Sequence, residues 1–342
     1  MADNIEVAAS KAKTRALLGE PDEQVPVRAF TMKTSVGARA YYYLKSRTLQ
    51  DVKKLRSCGE GETTMDEQKE IYAALQAFFK LPMCRVGDRM TVNVPYRPPH
   101  DEFPGRLWSP ISSLWGPFRS LLLDGTVEAD MACCMQVCIR VACWAFDIAC
   151  PHLDEYTRSK EDRERVLQAY MDAHGDCTRG KAKDAYQMAL TSKHPMRGAK
   201  GAYKEFDAEA KRIQVELMAV PELQWIKVFC KDGKGGVPGS FISRLFNFIE
   251  CKNLLAVRTL LDGRFGVGTV VALVYDGNSL RLDASKRTPE LLEEMKAACN
   301  EVFPGIDMRW EFNTRRAQTR SPVRHARTPD EVEEMARLNR IE

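Results

Sequence analysis

The 342-residue sequence predicts an α+β fold, in which an antiparallel sheet is backed by helices and carries a helical insertion. Three observations predict this fold. Residues 126–130 form a short extended run that leads directly into an apolar stretch. Residues 269–282 have the pattern of a β-hairpin whose turn carries Asp276. Several helical patterns separate these two regions, and one more helix and a strand follow the hairpin.

The composition indicates an ordinary soluble globular protein, with 44% hydrophobic and 29% charged residues. No run approaches the roughly 20 apolar residues of a transmembrane helix, and the first residues lack the pattern of a secretion signal. The eleven cysteines lack paired spacing, so we expect reduced core residues in an intracellular, reducing compartment: the nucleus, the cytoplasm or a viral replication site. The net charge of +4 is only weak evidence for a polyanionic partner.

Residues 1–102 contain helical patterns but few chemical signals. The apolar spacing predicts helices over residues 5–18 and 65–79. Residues 41–43 are three tyrosines among cationic neighbours; we favour a half-buried strand edge, and the alternative is a surface that stacks on nucleic acid. The proline-rich residues 95–104 predict a linker.

Asp130 lies where a strand is expected to end. Residues 105–109 predict an earlier short strand, and the apolar spacing from Met131 onward predicts a helix that Pro151 stops. Asp130 is therefore the last residue of a strand or the first of a strand-to-helix turn, from which its carboxylate can reach an ion. If Asp276 meets it, the two carboxylates form an anionic oxygen site of the kind that Mg²⁺ prefers.

A basic helix face follows in the predicted insertion. Residues 161–174 predict a charged helix, and Thr178 is a suitable N-cap for the next one. Four side chains of this second helix fall at four-residue intervals and share one face: Arg179, Lys183, Gln187 and Thr191. Two interpretations stay open, a solvated basic face and a surface that holds a triphosphate.

The end of the insertion predicts a glycine-rich loop and a long helix. Residues 233–239 are a flexible loop without the Gly-Lys-Ser/Thr of a P-loop. Ser240 is expected to cap the helix over residues 241–257, which offers Arg244 and Asn247 as polar contacts on the side opposite its apolar residues.

The remaining elements complete the predicted order. The sequence predicts helices over residues 203–220 and 288–303, the second opened by a Thr-Pro pair, and a strand over residues 308–312. Residues 315–327 hold five arginines and predict a mobile basic tail that suits a polyanion without being diagnostic of one.

Taken in order, these stretches resemble the palm and fingers of family A DNA polymerases, the bacterial polymerase I and phage replicase group. The stretches similar to family sequences are Gly105-Arg106-Leu107-Trp108-Ser109 (G-R-L-S-S), Asp130 (the motif A aspartate), Arg179 with Lys183 (R-x₃-K), Gly239-Ser240 (Q-G-T-A-A-D), Tyr275-Asp276-Gly277 (His-Asp-Glu of motif C) and residues 304–312 (V-P-L-x-V-x-V). Each motif alone is weak, and the ordered set over residues 103–313 carries the resemblance.

The resemblance implies a right-hand polymerase palm with a helical fingers insertion. It divides the chain into a palm in two parts, residues 103–140 with motif A and residues 257–314 with motif C, and fingers over residues 141–256. Residues 1–102 would be a reduced thumb or an accessory region, and residues 315–342 the basic tail.

The resemblance also implies the site residues of a template-directed polymerase. Asp130 and Asp276 would be catalytic and hold two Mg²⁺ or Mn²⁺ ions. The residues implied to bind the incoming nucleoside triphosphate are Arg179, Lys183, Gln187 and Met135, and those implied to bind the primer–template, expected to be DNA, are Arg106, Arg119, Arg244 and Asn247. A protein partner would supply a thumb or processivity.

Three departures from the family pattern affect this expectation. Met135 stands where the family has a glutamate that shapes the sugar pocket, and Gly277 stands where motif C has its glutamate. Gln187 and Thr191 replace an aromatic residue and a tyrosine of the fingers helix. Compact relatives in viruses and mobile elements also carry Asp-Gly in motif C, so loss of activity does not follow.

Two hypotheses from different classes therefore stand. The first is a nucleotidyltransferase that replicates a viral or mobile element by extending a nucleic-acid 3′ end. The second is a polymerase-derived nucleic-acid-binding scaffold or replication accessory protein that has lost turnover. An enzyme should bind nucleotide with Mg²⁺ through both aspartates, whereas a scaffold should bind nucleic acid equally well in EDTA.

Overall fold

The computed structural model describes residues 2–19, 29–56, 64–98, 103–175, 177–231 and 236–313. Its architecture is α+β, with two small antiparallel sheets among many helices. Within these residues, no helix has both the length and the apolar character required to cross a membrane.

The first sheet has the strand order β1-β3-β2. Its strands are β1 (Phe30–Gly37), β2 (Met83–Val86) and β3 (Arg89–Tyr96). The helices of this part of the chain are α1 (Ala2–Gly19), α2 (Ala38–Lys45), α3 (Leu49–Arg56) and α4 (Met65–Phe79). Alternate residues of β1 and β3 are buried, as expected for strands that cover a core with one face and leave the other face to solvent.

The second sheet has the strand order β5-β6-β4-β7, and all neighbouring strands are antiparallel. Its strands are β4 (Val127–Met131), β5 (Val270–Val274), β6 (Gly277–Leu280) and β7 (Trp310–Asn313). Helix α5 (Gly116–Leu122) precedes β4, α6 (Cys134–Ala145) follows it, and α13 (Pro289–Val302) connects β6 to β7. The chain thus follows a β-α-β-β-α-β order in which β6 lies between β4 and β5.

A helical insertion lies between α6 and β5. Its α-helices are α7 (Pro151–Arg158), α8 (Lys160–His174), α9 (Arg179–Thr191), α10 (Gly201–Ala219), α11 (Gln224–Lys227) and α12 (Gly236–Phe265). Buried aromatic rings join several of these helices: Tyr186 of α9 stacks on Tyr156 of α7 at a centroid separation of 4.8 Å and contacts Phe206 of α10 at 4.6 Å. The α12 helix leads back to the sheet.

The two sheets contact each other through β1, β3 and β5. The hydroxyl of Thr34 donates a 2.8 Å hydrogen bond to the carbonyl oxygen of Val271. The hydroxyl oxygen of Tyr96 accepts one of 3.0 Å from the backbone N–H of Leu273. The buried face of the first sheet therefore supports the strand that leads into the Asp276 turn.

Most of the helices that the sequence predicted from apolar residues at helical spacing are confirmed. The helix over residues 65–79 has the predicted bounds, and Thr64 and Glu67 form a capping box at its start. Thr178 and Thr288 cap α9 and α13 as expected. The ten cysteines in the described part of the chain are free thiols, and six of them are buried.

Several local predictions are wrong. The tyrosines of residues 41–43 lie on α2 rather than at a strand edge, because Tyr41 shares a buried helix face with Ala38 and Leu44. Ser240 is not a cap, since α12 begins at Gly236 and the Ser240 hydroxyl instead accepts a hydrogen bond from the Lys231 N–H.

The segment before β4 also differs from the prediction. Residues 105–109 contain an isolated bridge from Trp108 to Arg97 rather than a strand, so β3 continues into the predicted linker. The α5 helix was not predicted; its seven residues are too few to show a helical period. The predicted tail, residues 315–342, lies outside the described residues.

Candidate functional site

A cleft of about 540 Å³ lies where the Asp276 turn faces the helical insertion. Its walls come from the start of α6, from α7, α8 and α9, and from the middle of α12. The lining includes six residues that the sequence predicted for the site, and five of them are Arg106, Met135, Lys183, Gln187 and Asn247. Asp276 also lines it.

The two predicted catalytic aspartates lie on neighbouring segments of the second sheet. Asp130 is the fourth residue of β4 and pairs with Gly277 of β6. The backbone N–H of Met131 donates a 2.8 Å hydrogen bond to the carbonyl oxygen of Asp276. Asp276 lines the cleft, whereas Asp130 is half-buried beside it and accepts a hydrogen bond of 3.3 Å from the Asn313 amide.

The hairpin turn that carries Asp276 is strained. The turn residues are Tyr275 and Asp276, so the turn carries Asp276 as predicted. Tyr275 has a φ of 52°, a conformation that costs a non-glycine residue on the order of 1–3 kcal/mol. Its ring is held by an edge contact with Trp108, at a centroid separation of 6.4 Å, and by the Arg106 guanidinium at 5.4 Å.

Two cations line the side of the cleft formed by the insertion. Lys183 projects from α9, and burial lowers the pKa of its ammonium, which the charges of Arg179 and Arg163 lower further. Arg163 projects from α8, is only 5% exposed, and donates a 2.7 Å hydrogen bond from Nη1 to the sulfur of Cys133. A pair of desolvated cations at one wall suits an anionic ligand such as a phosphate chain.

A buried ion pair stands between the hairpin turn and α12. Arg106 donates from Nε and Nη2 to the two carboxylate oxygens of Glu250, at 2.7 and 2.6 Å. Glu250 is fully buried. Burial raises the pKa of its carboxyl to about 7, although the Arg106 guanidinium opposes that rise, and the charge of Asp276 adds to it.

Amide and hydroxyl groups line the remaining wall. Gln136 of α6 is 6% exposed, and Ser243 and Asn247 project from α12. Gln187 of α9 completes this group. These side chains can both donate and accept hydrogen bonds, so the wall can recognise sugar hydroxyls or base edges.

A close helix contact sets the width of the cleft. A β-carbon at Gly239 would lie 1.8 Å from the carbonyl oxygen of Thr191. The glycine therefore lets the start of α12 pack against the end of α9. This contact fixes the distance between Lys183 and Asn247 on the two helices.

Besides Asp130, three predicted site residues lie outside the cleft lining. Arg179 forms a bidentate ion pair with Glu164, with Nε 2.6 Å from Oε2. Arg119 is 5% exposed and donates to the carbonyl oxygen of Leu114 at 3.0 Å. Arg244 lies over the ring of Phe103, 5.0 Å from its centroid. Their roles stay predictions.

Sequence reasoning missed several residues of the cleft, among them Glu250, Gln136 and Arg163. Glu250 is an acid at a buried position of α12, and Gln136 is a polar residue in the apolar stretch of α6; each irregularity is a signal that pattern analysis can detect. Arg163 lies in a helix with charged residues on most sides, so nothing in its sequence context distinguishes it.

Asp130 and Asp276 are the acids that the sequence predicted as metal ligands, and of the two Asp276 lines the cleft. Within the described ranges, no three His, Cys, Asp or Glu side chains cluster as a metal site. Mg²⁺ is commonly bound by one or two carboxylates together with substrate phosphates and water. Asp276 at the cleft and Asp130 on the strand paired with its hairpin are carboxylates of the kind that this ion uses. No protein-family model matches the chain, and no curated protein matches it.

Proposed function

We propose that the protein is a template-directed nucleic-acid polymerase, a nucleotidyltransferase that extends a 3′ end, with a primer–template, expected to be DNA, as its substrate. The observation that carries the proposal is the meeting of Asp130 and Asp276. These residues lie far apart in sequence, yet a backbone hydrogen bond of 2.8 Å joins Asp276 to the neighbour of Asp130. Asp276 lines a cleft whose opposite wall carries Lys183 and Arg163.

The carboxylates would hold two Mg²⁺ or Mn²⁺ ions. Such ions, when bound, lower the pKa of a primer 3′-hydroxyl and stabilise the charge of a pyrophosphate leaving group. Asp130 and Asp276 would orient these groups, since both are fixed by the paired strands β4 and β6. The strained Tyr275 backbone adds to this fixed geometry.

The cationic wall would bind the triphosphate. Lys183 and Arg163 are permanent or nearly permanent cations in a partly desolvated wall, where they neutralise phosphate charge more strongly than surface lysines can. Arg179 lies one helical turn before Lys183 and would join them if it exchanged Glu164 for a phosphate.

The polar wall would bind the sugar and the base, and Met135 would lie beside them. Gln136, Ser243 and Asn247 supply donors and acceptors there, and Gln187 supplies another from α9. Arg106 lies beside the Asp276 turn and would contact the primer end. Arg119, 5.9 Å from the Tyr275 ring centroid, and Arg244 are outside the cleft lining and would contact the nucleic acid only after side-chain rearrangement.

The strand order supports the same proposal. The β-α-β-β-α-β order places the Asp130 strand beside the hairpin of Asp276, and the helical insertion falls between them in sequence, as the resemblance to a palm with fingers implies. In this proposal a protein partner supplies the thumb function, and replication of a viral or mobile element is the process served.

Primer extension tests the proposal. A labelled primer on a DNA or an RNA template is incubated with deoxy- or ribonucleoside triphosphates and Mg²⁺ or Mn²⁺. We expect template-directed products with the wild type and their loss with Asp130→Asn and with Asp276→Asn, because each change removes a metal ligand. The nucleotide set that is used identifies the sugar.

Asp283→Asn is the matched control. Asp283 lies beyond β6, and its carboxylate is 81% exposed beside Lys286, so this change removes the same charge without touching the cleft. Equal extension by Asp130→Asn and the wild type would contradict the proposal. A folded wild type that makes no product, yet binds nucleic acid equally in EDTA and in Mg²⁺, would favour the scaffold.

A further inference from the structure

The solvent face of the first sheet is cationic and polar. The residues of β1 and β3 that alternate onto this face are Thr31, Lys33, Ser35, Arg89, Thr91 and Asn93. None of them is acidic, and the β2 residues on the same face, Cys84 and Val86, are uncharged. The nearest carboxylate in sequence, Asp88, lies in the β2–β3 turn.

Two arginines converge on one backbone group at the edge of this face. Arg89 donates from Nη2 to the carbonyl oxygen of Ser35 at 3.0 Å and from Nε to the Ser35 hydroxyl at 2.7 Å. Arg281, just beyond β6 of the second sheet, donates from Nη2 to the same carbonyl oxygen, also at 3.0 Å. The two guanidiniums therefore lie beside each other although their charges repel.

The arginine pair is not neutralised by the described part of the chain. No ion pair is formed by Arg89, Arg281 or Lys33 within the described residues. Burial lowers the pKa of Arg281, and the charge of Arg89 lowers it further. Arg89 and Arg281 are half-buried and Lys33 is exposed, so a solvent-borne anion can reach all three.

The spacing of these cations fits an extended polyanion. Lys33 pairs with Asn93, four residues from Arg89 on the same strand, or about 13 Å at the rise of an antiparallel strand. Arg281 lies four residues beyond Gly277, so the arginine pair is also about 13 Å along β6 from the Asp276 turn. One phosphate reaches only the arginine pair, whereas a nucleic-acid backbone can span the face.

We infer that Arg89, Arg281 and Lys33 bind the phosphate backbone of a nucleic-acid strand that lies on the first sheet. The choice of nucleic acid rests on the proposed function; the site itself rests on the two arginines at the Ser35 carbonyl and on the acid-free face. It is separate from the cleft, so it binds in the absence of metal and of nucleoside triphosphate.

Binding of a short, labelled single strand in EDTA, followed by fluorescence anisotropy over a range of salt concentrations, tests the site. For Arg89→Gln/Arg281→Gln we expect about tenfold weaker binding at low salt. The slope of log K against log salt should fall by about 0.7 for each cation removed. Lys33→Gln should weaken binding less, with a slope change of about 0.7. Arg165→Gln, an exposed arginine paired with Glu155 and Asp162 on the insertion, is the control.

The outcomes separate this site from the proposed function. Unchanged binding by the double variant would overturn the site while leaving primer extension as a separate question. If the face variants weaken binding but no extension occurs, the site stands and the proposed function fails. If inorganic tripolyphosphate displaces the strand at equal concentration and Lys33→Gln has no effect, a small-anion site replaces the inference. If the double variant does not fold, the strand affinities of the single variants Arg89→Gln and Lys33→Gln decide whether the site exists.

Discussion

The carboxylate of Asp130 occupies the space that a side chain at Gly277 would fill. A β-carbon at residue 277 would lie 2.2 Å from Oδ1 of Asp130 and 2.9 Å from the carbonyl oxygen of Ala129. Glycine at residue 277 therefore leaves room for the Asp130 carboxylate beside β6. Gly277, which stands where the resemblance led us to expect a glutamate, therefore has a steric role in this chain.

Gly277→Ala should consequently reduce the nucleotidyl transfer that we propose. The methyl group must displace either the Asp130 carboxylate or the β4 backbone, and overpacking of this kind costs about 1–3 kcal/mol. We expect extension to fall at least about tenfold, since misplaced metal ligands lose their positioning effect. Primer extension and urea unfolding measure the two effects.

Gly263→Ala provides the comparison for this variant. Gly263 lies within α12, and no atom lies within 4 Å of an added β-carbon, so alanine should stabilise the helix by about 0.5–1 kcal/mol. Its extension rate should match the wild type. A Gly277→Ala protein that is as active as Gly263→Ala would show that the contact between Asp130 and Gly277 does not set the position of the carboxylate.

Gly239→Ala should widen the cleft. The added methyl would lie 1.8 Å from the Thr191 carbonyl, so α9 and α12 must separate. We expect a destabilisation of about 1–3 kcal/mol and a raised KM for nucleotide, because Lys183 and Asn247 lie on the two helices that move apart. Gly180→Ala, where the nearest atom is the Thr178 hydroxyl at 3.8 Å, is the control. An unchanged KM in a folded Gly239→Ala protein would refute the proposed role of this contact.

Lys183→Gln should weaken triphosphate binding more than Arg179→Gln does. Lys183 lines the cleft, whereas the Arg179 guanidinium is already engaged by Glu164. Removing a charge-assisted phosphate contact should raise KM by about tenfold. Steady-state extension at varied nucleotide concentration measures this.

Glu164→Gln tests whether Arg179 competes for the same phosphates. Loss of the Glu164 charge releases Arg179, and it also releases Arg163, whose Nε lies 3.4 Å from the same carboxylate. KM should therefore fall if these guanidiniums bind the phosphates. Glu216→Gln, which removes a similar exposed pair with Arg212 on α10, controls for net charge. An unchanged KM in Glu164→Gln would show that Arg179 stays at the surface and does not bind the phosphates.

Stability should depend on pH through Glu250. Its pKa in the folded protein is about 7, above the ordinary 4.5, because the carboxyl is fully buried. The folded state therefore binds a proton more tightly than the unfolded state. The stabilisation that comes from this raised pKa is fully present below pH 4.5 and is lost as the pH rises towards 7. Its size is at most about 3 kcal/mol.

Urea unfolding of the wild type and Glu250→Gln between pH 4.5 and 7.5 measures this dependence. The free energy of unfolding of the wild type should decrease relative to that of Glu250→Gln as the pH rises through this range. Glu293→Gln, on the exposed side of α13, accounts for the general loss of one negative charge. If the curves of unfolding free energy against pH were parallel for the wild type and Glu250→Gln, Arg106 would be keeping Glu250 ionised over this whole pH range.

The sequence determined the elements whose causes are local. Helix periods, threonine caps and the hairpin around Asp276 depend on residues within a few positions of one another, so pattern analysis found α4, α9, α13 and the β5–β6 turn. Asp130 and Asp276 were predicted from their positions at strand ends. The α+β class followed from the order of these elements.

The tertiary structure decided which charges meet. Arg163 lines the cleft and Arg179 does not. Arg163 of α8 donates a hydrogen bond to Cys133, whereas Arg179 of α9 pairs with Glu164 of α8. The pairing of Arg106 with Glu250 and the convergence of Arg89 and Arg281 on Ser35 likewise join residues of different elements. Charge, unlike apolar character, has no period along the chain, so the partner of an ionic side chain is fixed only when helices and strands pack.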